Sequence, residues 1–294
     1  MESHYMGSKM ILPSLVLPSR INQHWQFSGM DHIDQCFDKN HFLSYPYSIT
    51  YKYNSRGFRD QEWPDTMQEL RNAIWCIGDS FTVGLGSPLE HTWAFRLSQI
   101  ANRRIINVSM DGASNEWIAR TAKNIVQVVD PAQLVIMWSY THRRESIKTS
   151  LSDEFRRIYS SNCTDHEDWE NFVDCKKRVD LIANSVQFAV PCFRHEPPLI
   201  HQSWWESIRG TNWPANPPTT PQELNSLPDW ILHELKNLHG RLDEYRDIVT
   251  RQQLYSPLPA TVIQVESQDL ARDGHHFDLI TADWVATQAT SRLN

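Results

Sequence analysis

The stretch Ala73-Ile-Trp-Cys-Ile-Gly-Asp-Ser-Phe-Thr82 joins a short apolar run to a polar turn. An apolar run of this length, ended by a turn signal, is typical of a buried strand in a parallel sheet. We therefore predict a strand over Ala73–Ile77, followed by a turn and a helix. The hydroxyl of Ser80 would then lie where the strand gives way to the helix, and the free N–H groups of a helix start stabilise developing negative charge.

Downstream of this stretch, short apolar runs alternate with amphipathic segments. This alternation predicts an α/β fold, in which crossover helices join the parallel strands of a doubly wound sheet. Further strands are predicted at Arg104–Val108, Leu134–Trp138 and Ser185–Val190, with an edge segment at Thr261–Val265. Helices are predicted at Thr92–Ala101, Ser114–Val129, Thr164–Ala183, Trp230–Leu254 and Leu279–Ser291.

The chain of 294 residues is long enough for one large α/β domain with an extension. We expect residues 1–70 to form an N-terminal extension packed on the core, because they show no clear helical period. Residues 71–294 would form the core domain, interrupted at about 191–228 by an insertion rich in proline and tryptophan. Aromatic side chains in or beside this insertion could stack on sugar rings or fix a long loop to the body. They are Trp204, Trp205, Trp213 and Trp230.

Composition narrows the classes of partner. The net charge is −7 and no block of like charge stands out, which argues against a nucleic-acid partner. The apolar stretch Met10–Leu17 is short and contains Pro13, so neither a signal peptide nor a membrane span is predicted. Five cysteines without CxxC spacing favour a reducing compartment. We therefore expect a cytoplasmic or virion-associated protein that does not bind membranes.

A second chemically suggestive segment is Asp273-Gly-His-His276, just before the last predicted helix. In a DxxH turn the carboxylate can approach Nδ1 of the imidazole, so that Nε2 is free to face a serine hydroxyl. Gly112 follows the second predicted strand, where it is either an ordinary turn glycine or a residue whose N–H can approach a substrate oxygen closely. These segments predict a serine nucleophile with a histidine base.

Taken together, the segments resemble those of the SGNH hydrolases, also called GDSL-like esterases and lipases. The first block is Ile77–Thr82, the second is Asn107–Ser114 with Gly112, and the last is Asp273–His276, in the family's order over residues 73–290. Upstream, Tyr53–Asp60 is similar to an Asn-Ser-x-Gly-Phe-Arg stretch that often precedes the nucleophile block in bacterial members.

The resemblance implies a flavodoxin-like three-layer α/β/α sandwich. It makes Ser80 the nucleophile and His276, rather than the adjacent His275, the base. Asp273 would be the carboxylate that orients this base. Backbone N–H groups of Ser80 and Gly112 would form the oxyanion hole. Members of the family need no metal or other cofactor and cleave esters, often acetyl groups on carbohydrates.

The third block departs from the family pattern. It normally ends with Gly-x-Asn-Asp, whose asparagine is the third oxyanion donor, whereas this chain reads Trp138-Ser-Tyr-Thr-His-Arg-Arg-Glu145. Alignment of the strand ends places Thr141 at the asparagine position. Loss of an oxyanion donor can cost about 3 kcal/mol of barrier. Thr141 can still donate one hydrogen bond, and His142 or Arg143 could supply the missing donation; alternatively, Arg143–Glu145 is a solvated helix start.

Two functions remain open from the sequence. The first is a serine esterase that removes an acyl group, most often acetyl, from a saccharide or another small ester, with a modified oxyanion hole. Further candidate substrate contacts are Asp79, His142, Arg143 and His275. The second is a non-catalytic protein that keeps this scaffold to bind a glycan or a protein partner, which the altered third block favours.

Overall fold

The computed structural model describes residues 15–36, 38–141, 143–145, 157–159, 165–190, 214–216, 221–233 and 258–293. Most of the proline- and tryptophan-rich insertion, most of the helix predicted at Trp230–Leu254, and His142 lie outside these residues. Within the described part of the chain, no helix has both the length and the apolar character needed to cross a bilayer.

A five-stranded parallel sheet forms the centre of the protein. The strands in chain order are β1 His24–Trp25, β2 Tyr51–Lys52, β3 Ile74–Gly78, β4 Ile105–Ser109, β5 Gln133–Trp138, β6 Arg143–Glu145, β7 Arg157–Tyr159, β8 Ser185–Ala189 and β9 Val262–Gln264. The central sheet has the order β4-β3-β5-β8-β9. Counted within this sheet, the order is 2-1-3-4-5, which is that of flavodoxin-like folds. The predicted fold class is confirmed.

Helices cover both faces of the sheet. The helices of the described residues are α1 Lys39–Ser44, α2 Met67–Asn72, α3 Ser80–Val83, α4 Trp93–Ala101, α5 Asn115–Val129, α6 Asp165–Asp180, α7 Pro221–Asn225 and α8 Leu279–Thr290. Alternate residues of β3 point to opposite faces, as the pleat of a strand requires. Trp75 and Ile77 join a cluster with α5 and α6, whereas Ile74 and Cys76 join a cluster with α4 and α8. The result is three layers.

The helices that follow the strands begin and end where the sequence provides caps. The side chains of Thr92 and Ser114 accept hydrogen bonds from N–H groups in the first turns of α4 and α5. The same helices end at Asn102 and Asp130, which adopt the left-handed conformation. These local signals explain why the predicted bounds of both helices agree with the structure to within a residue or two.

Residues before β3 pack on the core through large apolar side chains. Leu15, Leu17, Phe58 and Trp63 are buried in the cluster that contains α5 and α6. The short strands β1 and β2 pair in antiparallel fashion. Because these strands have only two residues each, their positions depend on side-chain contacts with the core rather than on a helical or strand period.

The interpretation of Arg143–Glu145 as a helix start is wrong. These residues form β6, which pairs in antiparallel fashion with β7. Their three side chains make ion pairs with different elements: Arg143 with Asp79, Arg144 with Asp168 and Glu145 with Arg120. An extended segment can direct successive side chains to such different partners, and these long-range partners cannot be read from local sequence.

Candidate active site

Ser80, His276 and Asp273 meet in one hydrogen-bonded chain. Nε2 of His276 lies 2.8 Å from Oγ of Ser80, and Nδ1 lies 2.5 Å from Oδ2 of Asp273. All three side chains are buried. Ser80 begins α3 directly behind β3, so the hydroxyl lies at the carboxyl edge of the sheet, where ligands bind in open α/β sheets.

The turn that carries His276 is shaped by its own sequence. Oδ1 of Asp273 accepts hydrogen bonds from the backbone N–H groups of His275 and His276, both at 3.0 Å. Gly274 has a φ of +69°, a conformation that favours glycine. The Asp-Gly-His-His segment therefore closes on its own carboxylate and leaves Oδ2 free to accept the imidazole Nδ1–H.

The electrostatic environment favours a protonated imidazole in this pair. Burial lowers the pKa of His276, but the charge and hydrogen bond of Asp273 and the charge of Asp79 outweigh it, so the pKa lies above its usual value. Burial raises the pKa of Asp273, whereas His276 and the two backbone N–H groups lower it, and the net direction is downward. An ionised Asp273 thus stabilises positive charge on the ring when Nε2 accepts a proton.

Asp79, next to Ser80, is fully buried, and both of its carboxylate oxygens accept hydrogen bonds from other groups of the protein. Its side chain accepts a hydrogen bond from Phe81 N–H, and Oδ2 accepts two more, from the hydroxyl of Ser139 and from Nη1 of Arg143, both at 2.8 Å. Burial raises the pKa of Asp79 more strongly than the nearby Arg143 lowers it. Asp79 and Arg143 thus form a buried ion pair directly beside the nucleophile, and a substrate contact at either residue stays a prediction.

The turn after β5 contains the altered third block. Arg143 N–H donates to the carbonyl of Tyr140 at 3.1 Å, and Thr141 lies partly exposed inside this turn. Asn115, at the start of α5, fixes the approach to the turn: its Oδ1 accepts a hydrogen bond from Ser139 N–H at 2.9 Å, and its Nδ2 donates to the Ser139 carbonyl at 3.2 Å. The turn that carries Thr141 is thus held by Asn115 from the start of α5.

Gly112 lies in the turn after β4, with a φ of +66°. The turn starts beside the nucleophile segment, because Met110 N–H donates to the Gly78 carbonyl at 3.1 Å. The chain after β4 and the chain after β3 therefore leave the sheet side by side.

The two adjacent histidines have different partners. Nε2 of His275 lies 2.7 Å from the hydroxyl of Tyr140, whereas Nε2 of His276 lies beside Ser80. The ring of Phe81 packs against His276 with ring centroids 4.6 Å apart. Of the two histidines, it is His276 that the structure brings to the serine.

Several residues of the site are missed by the sequence reasoning. Phe81 and Tyr140 pack around the two histidines, and Ser139 and Asn115 support Asp79 and the turn after β5. Their positions directly after strands or at a helix start were the available signal, but such positions are common in any α/β protein. Among the described residues, no group of three His, Cys, Asp or Glu side chains is arranged to hold a metal ion.

No protein-family model matches the sequence, and no curated protein matches it. Solved structures with a distant likeness include a putative lipolytic protein of the G-D-S-L family from Desulfitobacterium hafniense DCB-2, with 13% identity, a TM-score of 0.34, and coverage of 76% of this chain and 99% of that one. A family 3 carbohydrate esterase from Clostridium thermocellum has 13% identity, a TM-score of 0.33, and coverage of 74% and 92%.

A carbohydrate acetylesterase family member from Sinorhizobium meliloti is similar at 13% identity and a TM-score of 0.33, over 74% of this chain and 94% of that one.

Proposed function

We propose that the protein is a serine hydrolase of the SGNH type that cleaves a carboxylic ester. The observation that carries the proposal is the buried chain from Ser80 through His276 to Asp273, with contacts of 2.8 and 2.5 Å. A serine hydroxyl is a weak nucleophile unless an adjacent base accepts its proton, and this arrangement supplies both the base and the group that orients it.

In the proposed reaction, Oγ of Ser80 attacks the ester carbonyl carbon while Nε2 of His276 takes the hydroxyl proton. The tetrahedral oxyanion would be stabilised by the N–H groups of Ser80 and Gly112 and by the Thr141 hydroxyl. The bond to the alcohol then breaks as His276 returns the proton to the leaving oxygen. Water, activated by the same imidazole, hydrolyses the acyl-serine and releases the acid.

We propose acetyl as the acyl group and a saccharide or another small alcohol as the carrier, following the motif resemblance.

We also propose that residues 1–70 are an extension of the catalytic domain rather than a separate unit. Packing of this segment on the core supports the proposal, since Leu17 and Phe58 are almost fully buried in the apolar cluster against the sheet.

The direct test is labelling with a fluorophosphonate, read by intact mass. We expect one adduct on the wild-type protein and none on Ser80→Ala. Ser109→Ala is the matched control, because Ser109 is equally buried, lies opposite Gly78 in the adjacent strand β4, and donates its hydroxyl to Asn107 rather than to a histidine. Its labelling should equal that of the wild type. A wild-type protein that does not react would contradict the proposal and favour a binding function for the scaffold.

The pH dependence of turnover tests the base. Only neutral His276 can accept the serine proton, and its pKa lies above the usual value of about 6.5. We therefore expect kcat/KM to rise with pH, with a midpoint above about 6.5, and then to level off. Asp273→Asn removes a charge that raises this pKa. In this variant, the midpoint of the kcat/KM profile should move to lower pH, and the plateau of kcat/KM should be lower than in the wild type. A rate that is independent of pH between about 5 and 9 would argue against this base.

A further inference from the structure

The loop that follows the nucleophile helix is held by a buried arginine from the N-terminal part of the chain. Nη1 of Arg59 donates to the carbonyls of Val83 and Gly84 at 3.0 and 2.5 Å, and Nη2 donates to the carbonyl of Ser87 at 2.9 Å. Carbonyls at a helix end lack intrahelical partners. Arg59, the second arginine of the Asn-Ser-Arg-Gly-Phe-Arg motif, supplies these partners for the helix that begins with Ser80.

The loop that carries the base is held from the same part of the chain. Arg272, directly before Asp273, forms a two-pronged ion pair with Asp31, with Nε and Nη2 at 2.8 and 2.6 Å from its two carboxylate oxygens. Asp31 is fully buried. A bidentate arginine–carboxylate pair fixes geometry as well as charge, so Asp31 defines where the Asp273 loop begins.

Tyr51 connects Arg59 with the ion pair of Asp31 and Arg272. Its hydroxyl donates to Oδ2 of Asp31 at 2.5 Å and accepts the Gly86 N–H at 2.8 Å, while its ring lies 4.4 Å from the Arg59 guanidinium. The backbone N–H of Arg272 in turn donates to the carbonyl of Gly86, at 2.9 Å. One buried network, formed by Asp31, Tyr51 and Arg59, therefore contacts both the loop behind Ser80 and the loop before Asp273.

We propose that this network positions the nucleophile and the base relative to each other, and that Asp31, Tyr51 and Arg59 are positioning residues for the reaction. The inference rests on the proposed function. Ser80 and His276 are 196 positions apart in the chain, the first at the start of α3 and the second in the loop before α8. Their 2.8 Å contact needs both loops to be fixed in one frame, and a displacement of about 1 Å can cost on the order of a hundredfold in rate.

The test compares Tyr51→Phe with Tyr53→Phe. Tyr53 is the matched control because it is also a buried tyrosine of the N-terminal segment, but its hydroxyl forms its hydrogen bonds with Arg20 and Ser28 rather than with groups of the two loops. For Tyr51→Phe, we expect kcat for p-nitrophenyl acetate and the rate of fluorophosphonate labelling to fall about tenfold or more, with KM unchanged. Tyr53→Phe should keep wild-type rates at a temperature where both variants are folded.

A second readout follows the loop itself. Peptides covering residues 271–277 should exchange backbone hydrogen faster in Tyr51→Phe than in Tyr53→Phe, because the His275 and His276 N–H groups are protected by the Asp273 carboxylate. Equal labelling of Tyr51→Phe and wild type would overturn the inference while leaving the proposed function intact. If the wild type itself does not label, the proposed function fails instead. If Tyr51→Phe does not fold, Asp31→Asn decides the question by the same measurements.

Discussion

Replacement of His276 by alanine is expected to lower kcat for an acetyl ester by about four to six orders of magnitude. Without the imidazole, the Ser80 hydroxyl keeps its proton during attack and the leaving alcohol receives none. KM should change little, because Nε2 contacts the reacting hydroxyl, at 2.8 Å in the free protein. Steady-state kinetics of the wild type and the variant, with a single acetyl ester, measures both constants.

His275→Ala is the control for this experiment. The two histidines are adjacent, but Nε2 of His275 lies beside the Tyr140 hydroxyl and not beside the serine. We expect a loss of less than about tenfold, since the hydrogen bond to Tyr140 and the ring contacts of His275 are removed while the base stays in place. The double variant Ser80→Ala/His276→Ala should be no slower than either single one, because the two residues act as a unit. A larger loss for His275→Ala than for His276→Ala would mean that the base has been assigned to the wrong ring.

The central fold could be predicted because its signals are local. Strands such as β3 and β5 are buried on both faces and therefore appear as continuous apolar runs. The ends of α5 are marked by Ser114 and by Asp130 before a proline. The β6–β7 pair could not be predicted, because the partners of Arg143–Glu145 lie on other elements, far away in the sequence.

The residues of the site also fall into a group that local sequence could predict and a group that it could not. Ser80, Asp273 and His276 could be selected because a turn after a strand and a DxxH spacing are local patterns with a chemical reason. The support of these residues could not be predicted, since Arg272 and Asp31 are 241 positions apart and Tyr51 meets Gly86 only in the folded chain. Nor does the burial of Asp79 follow from its place beside the nucleophile, because it depends on Ser139 and Arg143 from the turn after β5.

Gly86→Ala is expected to damage both stability and rate, because Gly86 lies where the two loops of the site touch. Its φ is +76°, and an added Cβ would lie 2.8 Å from Cβ of Ala271 and 2.9 Å from Oδ1 of Asp273. The backbone conformation and the overlap together should cost about 2–5 kcal/mol of the free energy of unfolding. Displacement of the carboxylate that orients His276 should also lower kcat by on the order of a hundredfold or more. Chemical denaturation and steady-state kinetics measure the two effects.

Gly274→Ala separates backbone strain from overlap. Gly274 has a similar φ of +69° and also adjoins Asp273, but the nearest atom to its added Cβ is 3.6 Å away, on His41. The strain alone should cost about 1–2 kcal/mol of the free energy of unfolding. If both variants lost equal stability and equal kcat, the close contact between Gly86 and Asp273 would have no separate effect. A selective loss of kcat in Gly86→Ala, beyond that of Gly274→Ala, would instead show that the loop behind the nucleophile sets the position of the carboxylate, and through it the orientation of the base.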